Sequence, residues 1–204
     1  MKRRILLSSL LLWSVLYGHG QVFAPGYFHQ LPRIGGKIAP VFALAQDDDR
    51  FVWIGTDDGL VRYDGYHFEV YRHDTADPLS IGNNRINTLL YDEQGGGLFV
   101  GTDIGAAVYD FRTDNFHRLE ACGNRHIKAF LQTGDSLWVG TTTGLLLMDR
   151  KSVRTTLYAA ANGDRSIPSE HIACCREISG ELWFGAYNYL YRLLPDGNLE
   201  PHPL

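Results

Sequence analysis

The sequence predicts an all-β fold, a β-propeller built from four-stranded antiparallel blades. Three observations predict it. One stretch recurs: FVWIGTDDGLVRYDG at Phe51–Gly65 returns as LFVGTDIGAAVYD around Gly101, LWVGTTTGLLLMD around Gly140 and LWFGAYNYLYRLL around Gly185. The anchoring glycines therefore recur with a period of roughly 40–45 residues, the range of propeller blades. Aromatics, glycines and polar turns are plentiful, and no long stretch carries helical periodicity.

Each part of the repeat has a physical task. Trp53, Phe99, Trp138 and Trp183 stand two residues before the glycine, where a large aromatic suits the seam between stacked sheets. Gly55, Gly101, Gly140 and Gly185 let a neighbouring strand approach closely. Four residues on, Gly59, Gly105 and Gly144 close the short turns TDDG, TDIG and TTTG, which need a positive-φ position. The fourth repeat has Tyr189 there, so Asn188 is expected to take the left-handed conformation.

In chain order, Lys2, Arg3 and Arg4 precede an apolar run from Ile5 to Tyr17 and the small-x-small stretch Gly18-His19-Gly20. This is the pattern of a secretory signal peptide over residues 1–20, with a run too short for a comfortable membrane span. Residues 21–37 hold an isolated aromatic pair, Tyr27-Phe28, read as a candidate ring-closing strand. The propeller is expected over 38–204, with blades at about 38–71, 85–119, 125–158 and 171–202. In the first blade, Val41–Gln46 is read as the innermost strand. Two polar connections, RHDTADPLSIGNN and AAANGDRSIPSE, separate blades one from two and three from four.

Composition excludes some classes. The chain carries 19 Lys and Arg against 23 Asp and Glu, and cleavage of the leader would remove three of the basic residues. An acidic surface argues against nucleic-acid binding. Cys122, Cys174 and Cys175 are read as structural; the last two are neighbours on a strand and face opposite sides. No nucleophile elbow, zinc-protease helix or phosphate loop is present, and no catalytic residue is expected. Asp47-Asp48-Asp49 lacks the spaced oxygen ligands of a calcium loop and reads as a solvated turn.

Topology supplies the candidate site. In a four-stranded meander the inter-blade connections and the second-to-third-strand turns open on one face. Aligning Val41, Ile86, Ile127 and Ile172 puts Pro40, Arg85, His126 and His171 at the entry to each innermost strand, nearest the axis. The neighbouring turns add Asp57, Asp58, Asp103 and Tyr187. Hydrogen-bonding side chains and aromatics on one rim suit an oligosaccharide; the alternative is the polar rim that every propeller has. Two histidines without an evident third ligand do not make a metal site, and neither metal nor cofactor is expected.

Two stretches resemble the two-component-regulator propeller repeat: D-x-x-x-x-x-W-I-G-T-x-x-G-L-x-x-Y-D at Asp47–Asp64, and the connection YRHDTADPLSIGNNRI at Tyr71–Ile86. The resemblance extends over about Tyr27–Leu204 and is degenerate in the fourth repeat. It implies the N-terminal periplasmic sensor of a hybrid two-component system in a polysaccharide-degrading Gram-negative bacterium, with an oligosaccharide ligand. The full family has two seven-bladed propellers, an immunoglobulin-like domain, a membrane helix, a histidine kinase, a receiver and a DNA-binding domain, and is expected to act as a homodimer. Four repeats alone then imply a fragment holding an incomplete seven-bladed ring, without the kinase. The competing functions are a propeller enzyme acting on glycans, a lyase or hydrolase with acid–base groups on the rim, and a protein-binding scaffold with an apolar top face.

Overall fold

The computed structural model describes residues 39–95, 97–149, 155–158 and 171–204. The signal-peptide stretch, the Tyr27-Phe28 strand and most of the connection before the fourth blade lie outside these residues. Among the described residues sixteen strands form four antiparallel sheets, each a simple meander. Blade one comprises β1 (Val41–Gln46), β2 (Val52–Thr56), β3 (Leu60–Tyr63) and β4 (Phe68–Tyr71). Blade two comprises β5 (Ile86–Asp92), β6 (Gly97–Thr102), β7 (Ala106–Asp110) and β8 (Asn115–Arg118), followed by a single 3-10 turn at Glu120–Cys122. Blade three comprises β9 (Ile127–Thr133), β10 (Ser136–Thr141), β11 (Gly144–Asp149) and β12 (Thr155–Tyr158). Blade four comprises β13 (Cys174–Ile178), β14 (Glu181–Ala186), β15 (Tyr189–Leu193) and β16 (Leu199–Pro203). No helix among the described residues is long and apolar enough to cross a membrane.

The blades stack in chain order through their first strands: β1 lies against β5, β5 against β9 and β9 against β13. Those first strands therefore line the axis. Each seam has its own apolar core. Trp53 and Leu60 meet Leu98, Val100 and Tyr109 in the first; Phe99 and Ala106 meet Phe130, Leu137 and Val139 in the second; Trp138 and Leu145 meet Cys175, Phe184 and Tyr191 in the third. The aromatic of each repeat thus faces the next blade. Trp183 has no next blade among the described residues and is only half-buried, whereas Trp53, Phe99 and Trp138 are buried.

The repeat glycines explain how the seams close. A Cβ on Gly55 would lie 2.8 Å from Ile86 Cγ2, one on Gly101 would lie 2.7 Å from Ile127 Cγ2, and one on Gly140 would lie 2.9 Å from Ile172 Cγ2. The isoleucine that opens each innermost strand is a knob, and the preceding blade's glycine is its hole. Such close backbone approach is what glycine in a strand allows.

Three details depart from expectation. Tyr187, not Asn188, holds the positive φ of the fourth turn, at 38°. Asp47 is buried rather than solvated: its Oδ2 accepts from Trp53 Nε1 at 2.7 Å and its Oδ1 from the Phe51 amide at 2.9 Å. It ties the first hairpin to the seam tryptophan, which a buried carboxylate must do to remain hydrogen-bonded. The innermost strands are also irregular. Pairing to the second strand skips one residue between Val41 and Ala43, between Ile86 and Thr88, and between Ile127 and Ala129. These β-bulges free Phe42, Asn87 and Lys128 from the alternation of the strand. The paired cysteines alternate as expected, with Cys174 exposed and Cys175 buried.

Candidate functional site

The site is the rim where the connections enter the innermost strands. The second-to-third-strand turns are tied to those connections by backbone bonds. The Gly59 amide donates to the Asn84 carbonyl at 2.8 Å, the Gly105 amide to the Arg125 carbonyl at 2.8 Å, and the Thr142 amide to the His126 carbonyl at 3.1 Å. Gly105, at φ 89°, has no room for a side chain because a Cβ would meet the Gly123 carbonyl at 2.5 Å. Turn and connection therefore present one continuous surface.

On that surface Asp103 is the hub. Its Oδ1 accepts from Asn87 Nδ2 at 2.9 Å and lies 3.6 Å from Arg85 Nε and 3.2 Å from His126 Nε2. The histidine contact lacks hydrogen-bond geometry, and His126 Nε2 is shielded from solvent without a hydrogen-bond partner. Burial lowers the proton affinity of His126. Lys128, Arg85 and His171 lower it further, and Asp103 alone opposes them. The guanidinium of Arg85 stands 4.6 Å from the centre of the Phe42 ring, which is itself part-exposed. In the fourth blade His171 packs against Tyr187, ring centres 5.1 Å apart, and Tyr187 is 74% exposed.

The structure thus brings Arg85, Asp103 and His126 into direct contact, and places His171 and Tyr187 together beside them. Asp58 is held by the connection after blade one, where Arg72 Nη2 lies 3.0 Å from its carboxylate. Asp57 is exposed on the first-blade turn. Sequence reasoning missed Phe42, Asn87 and Lys128, one residue past each entry position. The signal was the knob itself: an isoleucine or valine that opens a strand one residue out of step with the rest of that strand.

A cavity of about 220 Å³ lies elsewhere, between the connection carrying His73 and Asp77 and the outer strands of blade two at Phe116 and Arg118. Its walls share none of the rim cluster. Among the described residues no three acidic, histidine or cysteine side chains cluster as a metal site would require.

Comparison with known proteins adds to this geometry. Residues 35–58 match the family model described as "Two component regulator propeller". No curated protein matches. The extracellular domain of the putative hybrid two component system BT4673 from B. thetaiotaomicron superimposes with a TM-score of 0.72 at 28% identity, over 84% of this chain and 22% of that one. The extracellular domain of the putative hybrid two component system BT3049 from the same organism gives 0.67 at 26%, over 79% and 24%. Virginiamycin B lyase from Staphylococcus aureus gives 0.59 at 12%, which shows a shared fold alone. This chain therefore spans less than a quarter of the length of the two extracellular domains. Its segment 35–58 matches the two-component-regulator propeller repeat, and its four blades are similar to part of the extracellular domains of hybrid two-component systems.

Proposed function

We propose that this chain is a ligand-sensing propeller region of a hybrid two-component sensor, that it works on the outer side of the cytoplasmic membrane, and that it binds an oligosaccharide at its rim without chemistry of its own. The observation that carries the sensor reading is its similarity, at 28% identity over 84% of the chain, to a domain described as extracellular. The rim supports the ligand class. Phe42 and Tyr187 offer exposed ring surface, and Arg85, Asp103, Asn87 and His126 between them offer directional donors and acceptors. Sugar recognition needs this combination of apolar faces and fixed polar groups. Export follows from the basic and apolar pattern of residues 1–20.

The test is a glycan array probed with the purified chain, followed by calorimetry on the best binders. The expected result is saturable binding that Arg85→Ala and Tyr187→Ala weaken at least tenfold, with the sugar recovered unchanged. Shortened or unsaturated products would replace this reading with that of a glycan lyase or hydrolase, for which His126 beside Asp103 would be the first acid–base candidates. Binding untouched by the rim substitutions would move the site elsewhere.

A further inference from the structure

The charges on the rim say more about the ligand, on condition that the sensor reading holds. We propose that the rim recognises an acidic saccharide, whose carboxylate or sulfate sits against Lys128, Arg85, His126 and His171 while sugar faces cover Phe42 and Tyr187.

The chain as a whole is acidic, with a formal net charge of −4. The rim of blades two to four is the reverse. Four basic side chains converge there, Arg85 on the connection into β5, His126 and Lys128 at the start of β9, and His171 on the connection into β13. One carboxylate, Asp103, stands among them, and it is already shared by Asn87, Arg85 and His126. Asp57 is exposed on the turn of blade one, which is tied through the Gly59 amide to the connection at Asn84, one residue before Arg85. Burial first, and then the charges of Lys128, Arg85 and His171, hold the proton affinity of His126 down. An added anion beside Arg85 and Lys128 would offset that charge without having to reach the shielded Nε2.

Each group suits the task. The planar fork of Arg85, steadied over the Phe42 ring, can donate two parallel bonds to a carboxylate or sulfate. Lys128 stands on a bulge, which re-aims a side chain that regular pairing would bury or expose by rule. A bound anion would raise the proton affinity of His126, because an opposite charge favours the protonated ring. Binding then takes up a proton. Affinity should be full below the free His126 pKa, which lies below 6.5, and should fall as pH rises through the higher pKa of the bound form.

Calorimetry with three oligosaccharides of equal length decides it: one neutral, one containing uronate and one sulfated. The uronate or the sulfated sugar should bind roughly tenfold or more tightly than the neutral one, and its affinity should fall with added salt. Lys128→Gln should remove most of that preference and leave neutral-sugar affinity within about twofold. Lys128 is half-exposed, and a melting curve confirms that the variant is folded. Equal or tighter binding of the neutral sugar, or a preference that survives Lys128→Gln, overturns the anionic assignment and leaves the sensor reading standing. Failure to bind any of the three, or any glycan on the array, removes both.

Discussion

At Gly101 a single methyl group has nowhere to go. Its Cβ would lie 2.6 Å from Thr88 Cγ2 and 2.7 Å from Ile127 Cγ2, so both the blade's own strand and the next blade would have to give. Gly101→Ala should therefore destabilise the chain by about 1–3 kcal/mol, the usual cost of overpacking a filled core. Gly82→Ala, where the added atom meets nothing within 4 Å, is the control and should melt near the wild type. Trp53 is the converse case. It is fully buried, and its ring NH is held by the buried Asp47. Trp53→Ala should cost roughly 3–5 kcal/mol in a denaturant titration, since the cavity adds to the lost burial and Asp47 loses a donor. Burial also sorts the thiols. It pushes Cys175 up to about 12 and Cys122 up to about 11, so both stay protonated at neutral pH, while Cys174 is exposed. A thiol reagent should titrate one cysteine in the native protein and three after unfolding; rapid labelling of a second would mean that a seam opens. The seam residues were legible in the sequence because a tryptophan and a glycine at fixed spacing have few other uses. Asp47 was not, because a run of three aspartates looks solvated until one of them is seen to find an indole.

The four-residue turn is the element that builds the rim, and it works through its threonine. Thr56, Thr102 and Thr141 each donate a side-chain bond to the carbonyl of the closing glycine, at 2.8, 2.9 and 2.7 Å. Each also accepts from the amide two residues on, at 3.0, 3.1 and 3.1 Å. These threonines are buried, so the bonds are not exchanged cheaply for water. Thr102→Val keeps the shape and removes the hydroxyl, leaving the Ile104 amide without its partner. It should cost about 1–2 kcal/mol and loosen Asp103, one residue away, so that rim affinity falls with stability. A rim unaffected by a melted turn would separate the two. Blade four has Ala186 in place of the threonine and accepts a positive φ at Tyr187 instead. The strand meander itself was legible from alternation and turn chemistry. The bulges were not, because skipping one residue leaves composition and spacing unchanged while it re-aims Phe42, Asn87 and Lys128. Arg85, Asp103, His126, His171 and Tyr187 therefore came from alignment of the repeats, and Phe42, Asn87 and Lys128 only from the backbone.

At the scale of the molecule the count of seams decides the behaviour. Four described blades make three seams, and blades one and four share no contact of comparable extent among the described residues. Repeat assemblies draw much of their stability from neighbour contacts, so the end blades are the weakest. The ends are also complementary in kind. Val41, the counterpart of Ile86, Ile127 and Ile172, is 54% exposed, and Leu44 beside it is 65% exposed. At the other end a Cβ on Gly185 would meet only Cys174 Sγ and Leu190 of its own blade, with no isoleucine knob from a neighbour, and Trp183 is half-exposed. A knob without a hole and a hole without a knob expose apolar surface that a chain purified in this form will bury against something. The 204-residue chain should therefore associate as its concentration rises, with blade four melting first and the sedimentation coefficient increasing over the micromolar range. Trp183→Ser should reduce association and leave the main melting transition in place, because the three closed seams do not involve that side chain. A concentration-independent monomer with one cooperative high-temperature transition would show that the end faces are already satisfied, and that four blades of this repeat are a closed thermodynamic unit.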